Sequence, residues 1–122
     1  MVIDDNPIDL YIAEMVMATT RFAEKVICLD SAKEALAYLR RLDDCTDELP
    51  SLIFLDINMP EMTGFEFLNE YRSLPENIRA KCIIMMLTTS LDENDRRKAE
   101  ENEFVQRFLN KPLDTDKIAQ LV

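Results

Sequence analysis

Leu52-Ile53-Phe54-Leu55-Asp56-Ile57-Asn58-Met59-Pro60 is an apolar run that stops on a carboxylate and then turns. Four consecutive apolar residues are too few for a helix and read as a strand buried on both faces, as in the interior of a parallel sheet. Asp56 then stands at the carboxyl end of that strand, and Met59-Pro60 takes the chain out of the sheet at once. Ligands of open α/β sheets bind in the crevice beyond such strand tips.

Outward from this stretch the chain alternates strand and helix patterns. Val2-Ile3 is a short strand ending on Asp4-Asp5, with Asn6-Pro7 as cap and first residue of a helix whose apolar positions Leu10, Ala13, Val16 and Met17 recur at helical spacing. A second strand is expected over Lys25–Leu29, then a helix opened by a capping box at Ser31–Glu34. Beyond the turn at Pro60–Gly64, Phe65, Leu68 and Tyr71 set a third helix that ends before Pro75. The fourth strand is Cys82–Leu87, leading into Thr88-Thr89-Ser90. The highly charged helix after it, Asp92 to about Asn102, has almost no apolar residue but Ala99 and is expected to dock weakly and move. Val105–Leu109 reads as an edge strand ending at Asn110-Lys111-Pro112, and a last helix is expected from Thr115 to the end. Five strands alternating with five helices specify one α/β domain over residues 1–122, with a parallel sheet covered on both faces.

Composition narrows the function. Twenty-four acidic against 14 basic residues give a net charge of −10, which opposes binding to nucleic acid or an anionic membrane. No apolar run approaches the ~20 residues of a membrane span, and a cytoplasmic protein without membrane or nucleic-acid partners is expected. Histidine is absent, excluding histidine triads and histidine metal sites, and a single glycine, Gly64, excludes glycine-rich phosphate loops. Cys28, Cys45 and Cys82 have no metal-ligand spacing; Cys28 and Cys82, inside apolar runs, are read as core.

The strand tips carry the chemistry. Asp4 and Asp5 follow the first strand, Asp56 the third, Thr88 the fourth and Lys111 the fifth, all at one edge of a parallel sheet. Three converging carboxylates repel one another unless a cation sits among them, and Mg²⁺ suits a site of carboxylate, carbonyl and water oxygens. A hydroxyl and an ammonium across the crevice suit a phosphoryl group. An aspartate between a metal and a lysine can act as a nucleophile and form an acyl phosphate, and the central Asp56 is placed for that role.

With Asp4-Asp5-Asn6, Asp56 to Pro60 with Gly64 behind it, Leu87-Thr88 and Lys111-Pro112, the chain resembles a receiver domain of a two-component response regulator, of the stand-alone CheY-like kind. The resemblance implies a flavodoxin-like, doubly wound sheet of order 2-1-3-4-5. It implies that Asp56 accepts a phosphoryl group from a sensor histidine kinase or a histidine phosphotransfer protein. It further implies Mg²⁺ ligation by Asp5, Asp56 and the backbone carbonyl of Asn58, with Asp4 acting through water, phosphoryl contacts from Thr88 and Lys111, and an aromatic switch at Phe108. Relative to the family pattern the first strand and last helix are short. No output domain follows within the sequence, so readout by a downstream protein that recognises the phosphorylated surface is expected.

Other classes are less consistent with the residues. An aspartyl-nucleophile phosphatase or phosphotransferase usually needs a second acid two residues after the nucleophile, where Asn58 stands. Asp92-Glu93-Asn94-Asp95 lacks the glycine and terminal ligand of a calcium loop. The expectation is a signalling module rather than an enzyme, with Asn58 and Ser90 tuning slow loss of the phosphoryl group.

Overall fold

The computed structural model describes residues 1–121. Its sheet has five strands, β1 (Val2–Ile3), β2 (Cys28–Leu29), β3 (Leu52–Leu55), β4 (Ile83–Thr88) and β5 (Val105–Asn110). They run parallel in the order β2-β1-β3-β4-β5. The helices are α1 (Pro7–Thr20), α2 (Ala32–Arg41), α3 (Gly64–Tyr71), α4 (Glu76–Arg79), α5 (Glu93–Glu101) and α6 (Thr115–Ala119), with a 3₁₀ turn at Thr46–Glu48.

The two-residue alternation of strand side chains divides the core between the sheet's faces. Ile3, Ile53, Leu55, Ile84 and Met86 point to the side of α2, α3 and α5, where they meet Leu36, Leu39, Phe67, Leu68 and Ala99. Val2, Phe54, Met85 and Leu87 point to the other side and meet Ala13 and Met17 of α1 and Ile118 of α6. Both faces are covered, so the inner strands read as unbroken apolar runs. Each such side chain contributes roughly 1.5–3 kcal/mol when fully buried.

Several elements differ from the sequence reading, each for a local reason. The described residues form six helices, not five, because Pro75 both closes the α3 region and, as N-cap of α4, starts a short helix that buries Ile78. The second strand is shorter than Lys25–Leu29, since its one neighbour β1 offers two residues to pair; above it the contact continues only as the bond from Val2 N to Ile27 O, 2.8 Å. Ser31 caps α2 from one direction, accepting from Glu34 N at 3.4 Å. The reciprocal capping box lies instead at α3, where Thr63 Oγ1 accepts from Glu66 N at 3.2 Å and Thr63 N donates to Glu66 Oε1 at 3.0 Å. Helix α6 ends at Ala119, short of the chain end expected for it; Val122 lies outside the described residues.

Cys28 and Cys82 are half-buried rather than core. Cys28 faces Glu14 of α1 at 3.6 Å, and Cys82 lies beside Tyr71, whose buried hydroxyl has no oxygen or nitrogen partner among the described residues. Ala99 is the one buried residue of α5, in line with the sparse apolar content of that helix.

Candidate functional site

All five tip residues singled out in the sequence come to the carboxyl edge of the sheet. Asp56 follows β3 directly, and its amide donates to Ile3 O at 3.0 Å, which fixes it beside the end of β1. Asp4 follows β1; its amide donates to Leu29 O at 3.0 Å and its carboxylate accepts from Asn6 N at 3.0 Å. Asn6 in turn caps α1, accepting from Ile8 N at 2.9 Å, with Pro7 as the first helical residue. The Asp-Asp-Asn-Pro sequence is thus a tight strand-to-helix junction that leaves Asp5 exposed at the rim.

Gly64 makes the turn after Asp56 possible. Its amide donates to Ile57 O at 2.8 Å, and a Cβ there would collide with the backbone carbonyl oxygen of Asp56 and lie 3.0 Å from Ile57 Cα. Glycine is required by this close approach of two backbones, not by its dihedral angles. The intervening loop also holds Glu61 at φ 67°, in the left-handed region.

On the other side, Thr88 ends β4 and is fully buried. Its carbonyl accepts from Lys111 N at 2.8 Å, tying the tips of β4 and β5 together. The Lys111-Pro112 peptide is cis. Lys117 fastens the segment beyond it, donating to Asn110 O at 2.6 Å and Pro112 O at 2.7 Å.

Lys111 reaches back across the crevice. Its ammonium lies 2.6 Å from Asp4, 2.8 Å from Asp9 and 3.5 Å from Asp56. Burial alone would lower its pKa, but hydrogen bonds to Asp4 and Asp9 and the charges of Asp56 and Asp4 more than reverse this, holding it above the usual lysine range. Asp56 shifts the other way for an acid: burial first, then the Asp4 charge, raise its pKa to about 6 against the opposing pull of Lys111 and the Ile57 amide. The site holds more negative charge than its one lysine compensates.

Carboxylate oxygens of Asp4, Asp5 and Asp56 lie within 4.8 Å of one another. This all-oxygen donor set fits a hard divalent cation, which would also offset the burial and the Asp4 repulsion that raise the Asp56 pKa. Asn58 is exposed on the adjacent loop.

The remaining expected residues sit further out. Ser90 N donates to Thr88 Oγ1 at 3.1 Å, while the Ser90 hydroxyl donates to Asp95 Oδ2 at 2.6 Å and accepts from Asp92 N at 3.2 Å. Asp92 and Asp95 therefore serve as cap of α5 and anchor of Ser90. Phe108 is half-buried on β5, paired with Met86, and covered by the Arg96 guanidinium 5.3 Å from its ring centroid. Sequence reasoning missed Asp9, Asp95 and Arg96. Asp9 carries the one usable signal, an acid a single helical turn after the Asp4-Asp5 tip.

Comparison with known proteins agrees with this geometry. The family model described as response regulator receiver domain matches residues 1–122, and the chain belongs to that family. Among curated relatives, the two-component response regulator ORR1 of Oryza sativa subsp. japonica is 28% identical over 123 residues, covering 99% of this chain and 52% of its own length. The chain thus spans about half of that relative. Among solved structures, a two component response regulator from Cytophaga hutchinsonii superposes with a TM-score of 0.90 at 29% identity, covering 98% of this chain and 90% of that one. The Mn²⁺-bound form of response regulator Rcp1 and the phosphorylated cyanobacterial phytochrome response regulator RcpA each give a TM-score of 0.75 at 27% identity, covering 98% of this chain and 86% and 84% of theirs. Response regulators act as signalling proteins, and the fold is CheY-like. Among the described residues no helix is long and apolar enough to cross a membrane.

Proposed function

We propose that residues 1–122 form one receiver domain that accepts a phosphoryl group on Asp56 and transmits its presence to a partner protein. The observation that carries this reading is the placement of Asp56, 6% exposed at the tip of β3, beside the carboxylates of Asp4 and Asp5 and 3.5 Å from the ammonium of Lys111. The phosphorylated RcpA structure and the histidine kinases among the relatives, such as Histidine kinase 2 of Arabidopsis thaliana, support a phosphohistidine donor.

In the reaction an Asp56 carboxylate oxygen attacks the donor's phosphorus in line. The new O–P bond forms as the P–N bond to the imidazole breaks, and the electron pair leaves with the nitrogen, which takes a proton from solvent. Asp56 must be ionised to attack. With its pKa about 6 it is so at neutral pH, and the burial that raises that pKa also keeps the carboxylate weakly solvated. Lys111 and the Thr88 hydroxyl are the donors for the phosphoryl oxygens.

Mg²⁺, held by Asp5, Asp56 and the Asn58 carbonyl with Asp4 through water, would supply charge neutralisation for the incoming phosphoryl group; the Mn²⁺-bound Rcp1 structure supports a divalent ion in this cluster. Loss of the phosphoryl group is slow, because neither Asn58 nor Ser90 is an acid or base that could activate water. That lack also weighs against an aspartyl phosphatase, and the readout is binding rather than turnover. Incubation with acetyl phosphate and MgCl₂ tests the proposal. One phosphate per chain, blocked by EDTA, is expected; multiple turnover, or labelling insensitive to chelator, would contradict it.

A further inference from the structure

We propose that Asp9 is a positioning residue that competes with the phosphoryl group for Lys111, so that the Asp9 side chain is released from the lysine when Asp56 is modified. The inference rests on the phosphoacceptor reading of Asp56 and assigns a role to a residue outside the aspartates, threonine and lysine of that site.

The geometry is specific. An ammonium has three protons to donate. Lys111 makes its short contacts to Asp4 at 2.6 Å and Asp9 at 2.8 Å, and holds Asp56 only as an ion pair at 3.5 Å. A phosphoryl group on Asp56 puts a more highly charged acceptor where the 3.5 Å contact now lies, and drawing the ammonium in to hydrogen-bond distance there stretches its contacts to Asp4 and Asp9, one of which must yield.

Burial decides which one. The Asp4 side chain is 3% exposed, so loss of Lys111 would leave it a buried charge with little beyond the Asn6 amide to hold it. The Asp9 side chain is 26% exposed, and water can take the place of the ammonium. Asp9 therefore gives way. The turn beneath it stays held by the bonds of Ile8 N to Asn6 Oδ1 at 2.9 Å and Leu10 N to Asn6 O at 3.1 Å, so the Asp9 side chain can swing away without unwinding α1.

Asp9 thus restrains the phosphorylation step, and removing it relieves competition for Lys111. Asp9→Asn is expected to speed labelling of Asp56 by acetyl phosphate and Mg²⁺ about 1.5-fold to fivefold, the size of one partly exposed ion pair. Asp9→Glu keeps the charge and should stay near the wild-type rate. Asp30→Asn removes an exposed charge beyond the end of β2 and is the control for a general field effect. Independently, the ¹³C shift of the Asp9 carboxyl should move when beryllofluoride and Mg²⁺ are added to the wild type. An Asp9→Asn rate equal to or below wild type, equal acceleration by Asp30→Asn, loss of the wild-type rate in Asp9→Glu, or a stationary Asp9 carboxyl signal would each overturn the proposal while leaving the phosphoacceptor reading intact. Absence of labelling in the wild type would remove both.

Discussion

The Arg96 guanidinium lies over the ring of Phe108, 5.3 Å from its centroid, and closes the half-buried aromatic between α5 and β5. This contact crosses from a charged helix with one buried residue to the edge strand of the sheet. If Phe108 turns inward when Thr88 is drawn toward a phosphoryl group, the Arg96 contact is among those that must break.

Arg96→Ala is accordingly expected to favour the inward ring. An exposed cation–π contact is worth about 0.5–1 kcal/mol, a twofold to fivefold shift in population. Amide shifts of Glu93–Glu101 in the free variant should move toward those of the beryllofluoride-bound wild type. Thr88→Ala should still accept phosphate but fail to transmit it to these amides.

Stability should depend on pH through Asp56. Its folded pKa of about 6 lies above the ordinary 3.8, so the folded chain binds the proton more tightly than the unfolded one. The corresponding stability is present in full below about pH 4 and is lost as pH rises through 6, on the order of 3 kcal/mol. Asp56→Asn removes this dependence and should be more stable than wild type at pH 8, by urea unfolding, with the difference shrinking toward pH 4.

A bound Mg²⁺ would act on the same imbalance. Saturating MgCl₂, at about 100 times its Kd, should stabilise the folded chain by roughly 2.7 kcal/mol. Asp5→Ala should lose most of this increment in a thermal melt while unfolding cooperatively without the ion, because Asp5 is exposed and contributes little to packing.

The turn behind the site has its own test. Gly64→Ala places a methyl group against the Asp56 carbonyl and Ile57 Cα, both backbone, so neither can swing away. A loss of about 1–3 kcal/mol in urea unfolding is expected, together with slower labelling of Asp56, since the strain falls on that residue.

Much of this was legible in the sequence where one physical pattern dominates. The interior strands β3 and β4 are apolar on both faces, so Leu52–Leu55 and Ile83–Leu87 announced a parallel sheet. Its order makes residues 102 apart in sequence into neighbours, as Asp9 in the first turn of α1 and Lys111 at the tip of β5 are. That pairing was not legible, because an acid in the first turn of a helix already has a sufficient local reason to be there. The short β2 was hidden for a related cause, since strand length depends on what the neighbour can pair and not on the apolar run itself. Likewise Pro75 signalled a stop, while its second use as the cap of α4 depends on Ile78 finding the core.

The central claim, that Asp56 is the residue modified, is tested most directly by labelling the chain with acetyl phosphate and Mg²⁺, reducing the acyl phosphate with borohydride, and sequencing the peptides by mass spectrometry. The account predicts homoserine at position 56 alone. Conversion at Asp4 or Asp5 in its place, or none in a chain that carries phosphate, would contradict it.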